Sequence, residues 1–532
     1  MARPVGFLAL AAAAVVAVWW WLGTPIAMPH APMVAGDKLN CVSYAPFRDS
    51  QSPLDGVMTV PAAQIDEDLA RLAKISRCVR TYSTDFGLDQ IAALAGKHGL
   101  KVIQGLWLSS NRDKNRDQIE TAVALANRHP DVIEAVVVGN EVLLRGELGV
   151  ADVVAALREV KSRVPMPVTY ADVWEFWLRN PQLFDAVDFI TIHILPYWED
   201  FPIPARHAAA HVDEIRRKVA AALPGKDILI GEVGWPSAGR MREGALPSPA
   251  NEAQVVQDVV ALAKRANYRV NIIEAFDQPW KRRLEGTVGG HWGILDNETR
   301  APKFVWGEAV SNHPRWLWQA TFGVVLVAVT FAAALVTARR RSQTLSTADW
   351  AAIALATATG GVLSGWALAA APLESLGLGG WIRSAALCAV AILAAPLSAA
   401  AIAARMPAPG FADILADARR SQPWLTFGYG LVLIVTTALA IQVALGLVFD
   451  PRYKDFPFAA LTAAAVPFLL HGLCVRAAGT RGIAETVAAA MLALGVVYIA
   501  PNEGFANWQS LWLCGALLLV AVTLLRVRGA QS

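Results

Sequence analysis

Apolar and polar positions alternate in two different ways along the chain. Between residues 39 and 280, short runs rich in Val, Ile and aromatic residues are separated by segments whose apolar residues recur at helical spacing. Strands that alternate with crossover helices predict a parallel sheet, and eight such repeats predict a (β/α)8 TIM barrel of the α/β class. The eight predicted strands cover 39–46, 78–83, 101–108, 132–141, 167–173, 186–195, 227–236 and 271–280.

The second pattern is a succession of long apolar runs rich in Ala, Leu, Val and Gly, which fills residues 316–532. About 20 apolar residues span a bilayer as a helix. We therefore predict three parts: an N-terminal membrane anchor and linker over 1–36, a barrel domain over 37–315, and an all-α seven-helix transmembrane domain over 316–532. The eight predicted spans are 5–22, 316–338, 350–370, 384–404, 425–449, 458–475, 484–500 and 508–525.

Arginine placement predicts the orientation of these spans, because cytoplasmic loops carry an excess of Lys and Arg. The alternate loops hold only Arg383, Arg452 and Lys454, so eight spans with both termini in the cytoplasm satisfy the distribution. The barrel then faces outward, which in the inner membrane of a Gram-negative cell means the periplasm. The arginines on the opposite side are Arg3, Arg339, Arg340, Arg341, Arg405, Arg419, Arg420, Arg476, Arg481, Arg526 and Arg528.

The first span has an alternative interpretation as a cleaved signal peptide. Its apolar run is long, ends in three consecutive tryptophans and lacks a clean cleavage site of small residues, which favours an uncleaved anchor.

Composition and charge narrow the function classes. A hydrophobic content of 55% exceeds the usual share in soluble proteins, so the lipid bilayer is an expected partner. The net charge of +3 is small, and the barrel region has no basic patch with interleaved aromatics, which argues against nucleic acid. No zinc spacing, P-loop or dinucleotide fingerprint is present, and we predict no metal and no cofactor.

Two further features of the barrel region have ordinary structural interpretations. Asp66 and Asp68 form a D-x-D pair, which we expect to open an amphipathic helix where acids favour the helix dipole. Cys41 and Cys78 lie in the exported domain, where an oxidising compartment permits a bridge. We expect them to be two buried free thiols.

Functional side chains collect where the predicted strands end. Active sites of (β/α)8 barrels lie at the carboxyl ends of the strands, so these groups should share one rim. Carboxylates, amides and aromatics on one rim suit a sugar cleft. In strand order, the candidates are Tyr82, Trp107, Asn140, Glu141, His193, Tyr197, Glu232, Asp277, Trp280 and Lys281.

Two carboxylates on opposite strands fit cleavage of a glycosidic bond. Glu141 after the fourth strand would protonate the leaving oxygen, and Glu232 on the seventh would attack the anomeric carbon or activate water. A separation of about 5–5.5 Å between the carboxyl groups would make the enzyme retaining. Asn140 could bind the sugar 2-hydroxyl, and we expect Trp235 to line a subsite together with Trp280. For His193, a sugar contact and a core position are equally open.

The motifs around these residues resemble those of family 17 glycoside hydrolases. GNE at 139–141 and ILIGEVGWPSAG from residue 228 are similar to the two signatures of that family, supported by RTYS, ITIHILPYW, EAFDQPWK and HWGIL. The resemblance spans about residues 39–310. It implies a retaining (β/α)8-barrel enzyme acting on β-1,3-glucans, with Glu141 as acid/base and Glu232 as nucleophile. Gln278 departs from many plant members, which have glutamate there, and we expect a different cleft wall as a result.

The sequence does not decide which acceptor receives the sugar. Water would make the chain a hydrolytic glucanase, and a second glucan would make it a transglycosylase. Membrane-bound bacterial proteins similar to this one are called β-(1→6)-glucan synthases, which favours synthesis or remodelling of a β-1,3/1,6-glucan with a glucan synthase or exporter as partner. An inactive glucan-binding membrane sensor is the alternative from another class.

Overall fold

The computed structural model describes residues 2–29, 31–34, 36–56, 58–416, 423–475 and 481–528. The chain divides into two units. The barrel unit comprises Ile26–Ala238 and Gly244–Val310, and the membrane unit comprises Met1–Pro25, Gly239–Glu243 and Ser311–Ser532. Of the arginines that predict the orientation of the spans, Arg419, Arg420 and Arg476 lie outside the described residues.

Eight parallel strands form a closed barrel in chain order, and the last strand pairs with the first. The prediction of a TIM barrel is therefore confirmed. The strands are β1 (Cys41–Ser43), β2 (Cys78–Arg80), β3 (Lys101–Leu106), β4 (Ile133–Asn140), β5 (Val168–Val173), β6 (Ile190–His193), β7 (Ile228–Val233) and β8 (Arg269–Ile272).

The observed strands are shorter than the apolar runs that predict them. β2 ends at Arg80, β6 at His193 and β8 at Ile272, so the rest of each run forms a loop at the carboxyl edge of the barrel. Tyr82 and Trp107 lie in such loops. Much of the candidate chemistry therefore belongs to the first residues after each strand.

The helices follow the predicted alternation. Those of the barrel unit surround the strands, whereas the first helix and the helices after residue 310 belong to the membrane unit. The helices up to residue 289 are α1 (Ala2–Gly23), α2 (Ala62–Leu72), α3 (Ile91–Lys97), α4 (Arg112–Arg128), α5 (Val150–Lys161), α6 (Trp174–Arg179), α7 (Ala205–Ala222), α8 (Pro249–Ala266) and α9 (Arg282–Gly289).

Alternation within the strands builds two apolar layers. In β4, Val136 and Val138 belong to the large buried cluster shared with the surrounding helices, whereas Ala135 and Val137 belong to a small cluster inside the barrel. Successive strand residues point to opposite faces of the sheet, so one strand serves both layers.

Cys41 and Cys78 form a disulfide, so the expectation of two free thiols is wrong. The residues begin neighbouring strands whose register pairs Val42 with Val79, which brings the two Cα atoms to 4.4 Å. The strand pairing of the barrel, which sequence spacing alone does not fix, thus places the thiols side by side.

The expected role of Asp66 and Asp68 at a helix start is also wrong. α2 begins at Ala62, so both acids lie beyond its first turn. Asp68 is fully buried and accepts hydrogen bonds from the Tyr44 hydroxyl and from Arg48, both at 3.1 Å. Asp66 lies 3.0 Å from a ring nitrogen of His98.

The membrane unit is built from long apolar helices. Within the described residues, seven helices are long and apolar enough to cross a membrane, and the predicted span 458–475 forms a shorter helix of 17 residues. After α9, the helices are α10 (Trp316–Arg340), α11 (Thr347–Glu374), α12 (Gly377–Ala403), α13 (Phe411–Ala416), α14 (Trp424–Phe449), α15 (Phe458–Cys474), α16 (Ile483–Glu503) and α17 (Trp508–Arg526).

Small residues allow close helix packing in this unit. A Cβ atom on Gly323 of α10 would lie 2.7 Å from the carbonyl oxygen of Gly361 in α11, so the two backbones nearly touch. Buried polar groups in this unit are paired: Asp349 accepts two hydrogen bonds from the more exposed Arg405, and His471 lies between the Tyr429 hydroxyl and a backbone carbonyl, both at 2.8 Å.

Candidate active site

The two predicted catalytic carboxylates meet at the carboxyl edge of the barrel. Glu141 directly follows β4, and Glu232 lies in β7. One carboxylate oxygen of each residue and one ring nitrogen of His193 all lie within 4.8 Å of one another. Nδ1 of His193 is 2.8 Å from Glu141 and Nε2 is 3.7 Å from Glu232. His193 is fully buried, so it is a core histidine that contacts both acids.

The backbone at the end of β4 turns sharply to present Glu141. Gly139 has a φ of 84°, and a Cβ atom there would lie 2.7 Å from the side chain of Val142. Glu141 itself has a φ of 52°, a left-handed conformation that side chains make unfavourable. Its N–H donates to the Ala171 carbonyl at 2.8 Å, which fixes the turn to β5.

Arg80 binds the nucleophile candidate and was not predicted as a site residue. Its guanidinium is fully buried and donates to Glu232 Oε1 at 2.9 Å, to the carbonyl of Gly231 at 3.0 Å and to the amide oxygen of Asn140. The sequence signal for Arg80 is a charged residue inside the otherwise apolar start of CVRTYS. A residue in such a run is expected to be buried, and a buried arginine needs a partner.

Positive charges around Glu232 keep this carboxyl ionised. Burial alone would raise the pKa of Glu232, but the charges of His193, Arg80 and Lys281 outweigh burial and hold the pKa below its usual range. An ionised carboxylate with one face held by Arg80 is suited to act as a nucleophile.

Lys281 reaches the site through an ion pair with Glu274, a second residue that the sequence did not single out. The Lys281 ammonium lies 3.0 and 2.9 Å from the two oxygens of Glu274. Burial raises the pKa of Glu274 to about 7, although Lys281 opposes this effect. A sugar that contacts Lys281, as predicted, would therefore compete with Glu274 for the ammonium group.

Tyr82 and Asn140 lie beside Arg80. The Tyr82 hydroxyl donates to Ser43 Oγ at 2.8 Å, and the Arg80 guanidinium carbon is 4.6 Å from the centre of the ring. Burial and the negative charge of Glu232 raise the pKa of Tyr82. Both predicted residues thus lie on the Arg80 side of the carboxylates.

Two of the predicted aromatics are buried instead of lining the barrel mouth. Tyr197 and Trp235 are fully buried with ring centres 6.0 Å apart, and the indole N–H of Trp235 donates to the carbonyl of Leu246 at 3.0 Å. Trp107, Trp174 and Trp198 are half-buried instead, at the carboxyl ends of β3, β5 and β6.

The segment after β8 places Trp280 at the mouth and Asp277 beneath it. Trp280 is half-buried and donates from its indole to Gln278, which is itself buried and donates to the carbonyl of Ala45. Gln278 therefore orients Trp280 and does not form the cleft surface itself. Asp277 is buried, with Lys303 2.9 Å away, and holds the loop together.

Arg145 ties down the loop that follows Glu141. Its guanidinium donates to the carbonyls of Asn140 and of Leu108, the latter at 2.6 Å, and lies 4.0 Å above the ring of Trp107. Arg145 lies four positions after Glu141, so these contacts fix the chain directly after the acid. No apolar or motif pattern in the sequence indicates this role.

The compact group of Glu141, His193 and Glu232 is the one set within the described residues whose donor atoms could surround a metal ion. Arg80 already supplies a positive charge 2.9 Å from Glu232. We therefore assign no metal to the site.

Both carboxylates lie inside a recognised domain. Residues 41–293 match the family model of the BtgE/BtgC glycoside hydrolase domain. The barrel region is thus similar to the glycoside hydrolase domain of that family model, in line with the resemblance of the motifs.

Individual relatives match about half of the chain. A probable family 17 glucosidase, SCW10, of Saccharomyces cerevisiae is 24% identical over 264 residues, which cover 48% of this chain and 64% of that protein. A glucan 1,3-beta-glucosidase of Arthroderma benhamiae is 26% identical, covering 46% of this chain and 83% of the relative. The chain thus spans less than two thirds of the yeast protein.

A solved structure is similar to half of the chain. It is an active-site mutant of a Rhizomucor miehei beta-1,3-glucanosyltransferase in complex with laminaritriose, with 25% identity and a TM-score of 0.45. The match covers 50% of this chain and 97% of that one.

Proposed function

We propose that the barrel unit is a retaining enzyme that cleaves β-1,3-glucan and transfers the released end to another glucan. One observation carries this proposal. An oxygen of Glu141 and an oxygen of Glu232 lie within 4.8 Å of each other on opposite strands of one barrel mouth. Retaining glycosidases hold their carboxyl groups about 5–5.5 Å apart, whereas inverting enzymes need about 6.5–9.5 Å to admit water.

The first half of the reaction uses the ionised state of Glu232. Its carboxylate attacks the anomeric carbon as the glycosidic bond breaks, and Glu141 donates a proton to the departing oxygen. Arg80 holds the carboxylate in place through one oxygen, at 2.9 Å. Asn140, whose amide oxygen accepts from Arg80, can donate from its NH2 group to the 2-hydroxyl of the bound sugar.

The second half returns the proton to Glu141. An acceptor hydroxyl attacks the anomeric carbon of the glycosyl-enzyme, Glu141 takes the proton of that hydroxyl, and Glu232 leaves as carboxylate. His193 lies 2.8 Å from Glu141, so it orients the acid in both steps. The configuration at the anomeric carbon is retained after two displacements.

The substrate class rests on the named relatives. A glucan 1,3-beta-glucosidase and a probable family 17 glucosidase are both similar to the barrel region. The half-buried tryptophans at the mouth, including Trp280, offer faces on which sugar rings can stack. A barrel that is joined to membrane helices suits transfer of sugar to a glucan acceptor better than breakdown of glucan as a nutrient.

Export of the barrel is part of the proposal. The Cys41–Cys78 disulfide supports it, because such bridges persist in oxidising compartments. The arginine distribution supports the periplasmic side of an inner membrane, with both termini cytoplasmic. The finer role, synthesis of a β-1,3/1,6-glucan with a synthase or exporter as partner, rests on resemblance.

Product analysis tests the proposal. Full-length protein in detergent micelles is given laminari-oligosaccharides, and the products are separated by size and by linkage. We expect products longer than the substrate, together with a β-configured product in the first turnovers. Shorter products alone would show that the enzyme hydrolyses glucan and does not transfer it. An α-configured product would exclude the retaining mechanism.

A further inference from the structure

A second buried carboxyl lies behind the turn that carries Glu141. Asp172, near the end of β5, is fully buried, and its Oδ1 accepts a hydrogen bond from the N–H of Val173 at 2.8 Å. Its Oδ2 accepts from the hydroxyl of Tyr170, which is two residues earlier on the same face of the strand and is also fully buried. The proposed reaction uses neither residue.

This pair binds the backbone of the turn. The N–H of Leu143 donates to the Tyr170 hydroxyl oxygen at 3.0 Å and to Asp172 Oδ2 at 3.3 Å. The N–H of Glu141 donates to the Ala171 carbonyl at 2.8 Å. β5 therefore holds the turn on both sides of Val142, which keeps Glu141 in its left-handed conformation.

The charge of Asp172 is the feature that packing alone does not explain. An apolar side chain would fill the same space without burying a carboxylate. Burial raises the pKa of Asp172 to about 6, with a contribution from the negative charge of Glu141, while the hydrogen bonds from Tyr170 and Val173 and the charge of His193 oppose this rise. The remaining charged group near the pair is Arg145, which faces Tyr170.

We infer that Asp172 and Tyr170 are positioning residues that fix the turn of Glu141 and place a negative charge behind it. Two neighbouring carboxyls resist being ionised together, so removing the charge of Asp172 should change the pH profile of the reaction that Glu141 is proposed to start. The inference rests on the proposed acid/base role of Glu141. Asp172 and Tyr170 act through that residue and do not touch substrate.

The pH profile of Asp172→Asn tests the charge, and Tyr170→Phe tests the hold on the turn. We measure kcat, KM and the pH dependence of kcat/KM for full-length protein with laminaritetraose. For Asp172→Asn we expect kcat to fall roughly 10- to 100-fold while KM changes less than about threefold, because a displaced acid slows the chemical step. The alkaline limb should move to lower pH by about 0.5–1 unit. Tyr170→Phe should lower kcat about 10-fold without moving that limb.

The barrel contains a matched control. Tyr44 and Asp68 form a second buried pair, with the hydroxyl donating at 3.1 Å, and burial likewise raises the pKa of Asp68 to about 6. This pair faces Arg48 and Arg300 instead of Glu141. Tyr44→Phe should therefore leave both kcat and the alkaline limb unchanged per folded molecule.

Two results would overturn the inference. One is a folded Asp172→Asn variant whose kcat and alkaline limb match those of the unchanged protein. The other is an equal loss in Tyr44→Phe and Tyr170→Phe, which would assign the effect to packing. If Asp172→Asn fails to fold, the comparison of the two Tyr→Phe variants decides. Failure of the proposed function is separate, because it would appear as full activity in Glu232→Gln.

Discussion

The barrel unit and the membrane unit both bury charged side chains. In the membrane unit these side chains form structural pairs, whereas in the barrel unit they form the candidate active site. In the membrane unit, Arg405 binds both oxygens of Asp349, and His471 uses both ring nitrogens. At the barrel mouth, Glu232 is buried beside Arg80 and His193, and Glu141 stays 23% exposed. Burial of charge alone therefore does not indicate catalysis. In the candidate catalytic set, one histidine is shared by two carboxylates, whereas Asp349 of the membrane unit has an arginine of its own.

The largest expected effect is the loss of the nucleophile. Glu232→Gln should lower kcat/KM at least about 1000-fold, because the amide cannot form the glycosyl-enzyme. The measurement is turnover of a laminari-oligosaccharide, with folding checked by thermal unfolding. Exposed Glu67→Gln is the control and should keep full activity. If the Glu232→Gln variant were active, the buried charges at the barrel mouth would have only a structural role, like the pairs of the membrane unit.

Removal of Arg80 should weaken both stability and catalysis. Arg80→Met leaves the buried Glu232 without its closest cation, which should lower the free energy of unfolding by about 3–5 kcal/mol. The pKa of Glu232, now held below its usual range, should rise, so the acid limb of activity should move to higher pH. The surface variant Arg71→Met should do neither, since that ion pair is exposed.

The same ion pair sets a dependence of stability on pH. A depressed folded-state pKa stabilises the fold above the ordinary value of 4.5, and this contribution disappears as pH falls through the depressed value. Unfolding measured from about pH 7 down to about pH 3 should show this loss in the unchanged protein and not in Arg80→Met. Equal pH dependence in both would show that another carboxyl is responsible.

Reduction of the disulfide should have the next largest effect, and only on the barrel unit. The bridge closes a loop with a sequence separation of 37, which in the chain-entropy model stabilises the fold by about 4 kcal/mol. A Cys41→Ala and Cys78→Ala double variant should lower the thermal unfolding temperature in oxidising buffer. A reducing agent should have the same effect on the unchanged protein and none on the variant.

The smallest expected effect lies in the membrane unit. Asp349→Asn removes the partner of Arg405, whose side chain is 38% exposed, so we expect a loss of only about 1–2 kcal/mol. Glucan turnover per folded molecule should not change. The double variant Asp349→Asn with Arg405→Gln should be less destabilised than the sum of the single variants. A large loss of turnover would contradict a purely structural role for this pair.

The fold was predictable because its signal repeats. Eight apolar runs alternating with helical patterns leave few arrangements, and most of the long runs after residue 315 form helices that are long and apolar enough to cross a membrane. The disulfide was missed because it depends on which strands are neighbours. The position of Asp68 was missed because the helix start at Ala62 carries no capping side chain in the sequence or in the structure.

The meeting of Glu141 and Glu232 at one edge of the barrel was predictable because each lies at the end of a strand run and belongs to a motif, whereas their catalytic roles stay a prediction. Arg80 and Asp172 were missed since nothing in the local pattern marks the role of a polar residue within a strand run, and the groups that they hold, Glu232 and the N–H of Leu143, lie far away in the chain. Trp235 shows the opposite problem. It belongs to a motif but is fully buried, because the sequence pattern does not tell which aromatic rings keep a free face.

The left-handed backbone of Glu141 has a consequence for how this position can vary. A φ of 52° is unfavourable for any residue with a long side chain, whereas glycine or asparagine adopts it with little penalty. Substitution of Glu141 by glycine or asparagine should therefore yield a better-folding protein. The glutamate is expected to persist against that pressure only while the proposed chemistry is selected. In a lineage that no longer needs the reaction, this is one of the first positions that should drift.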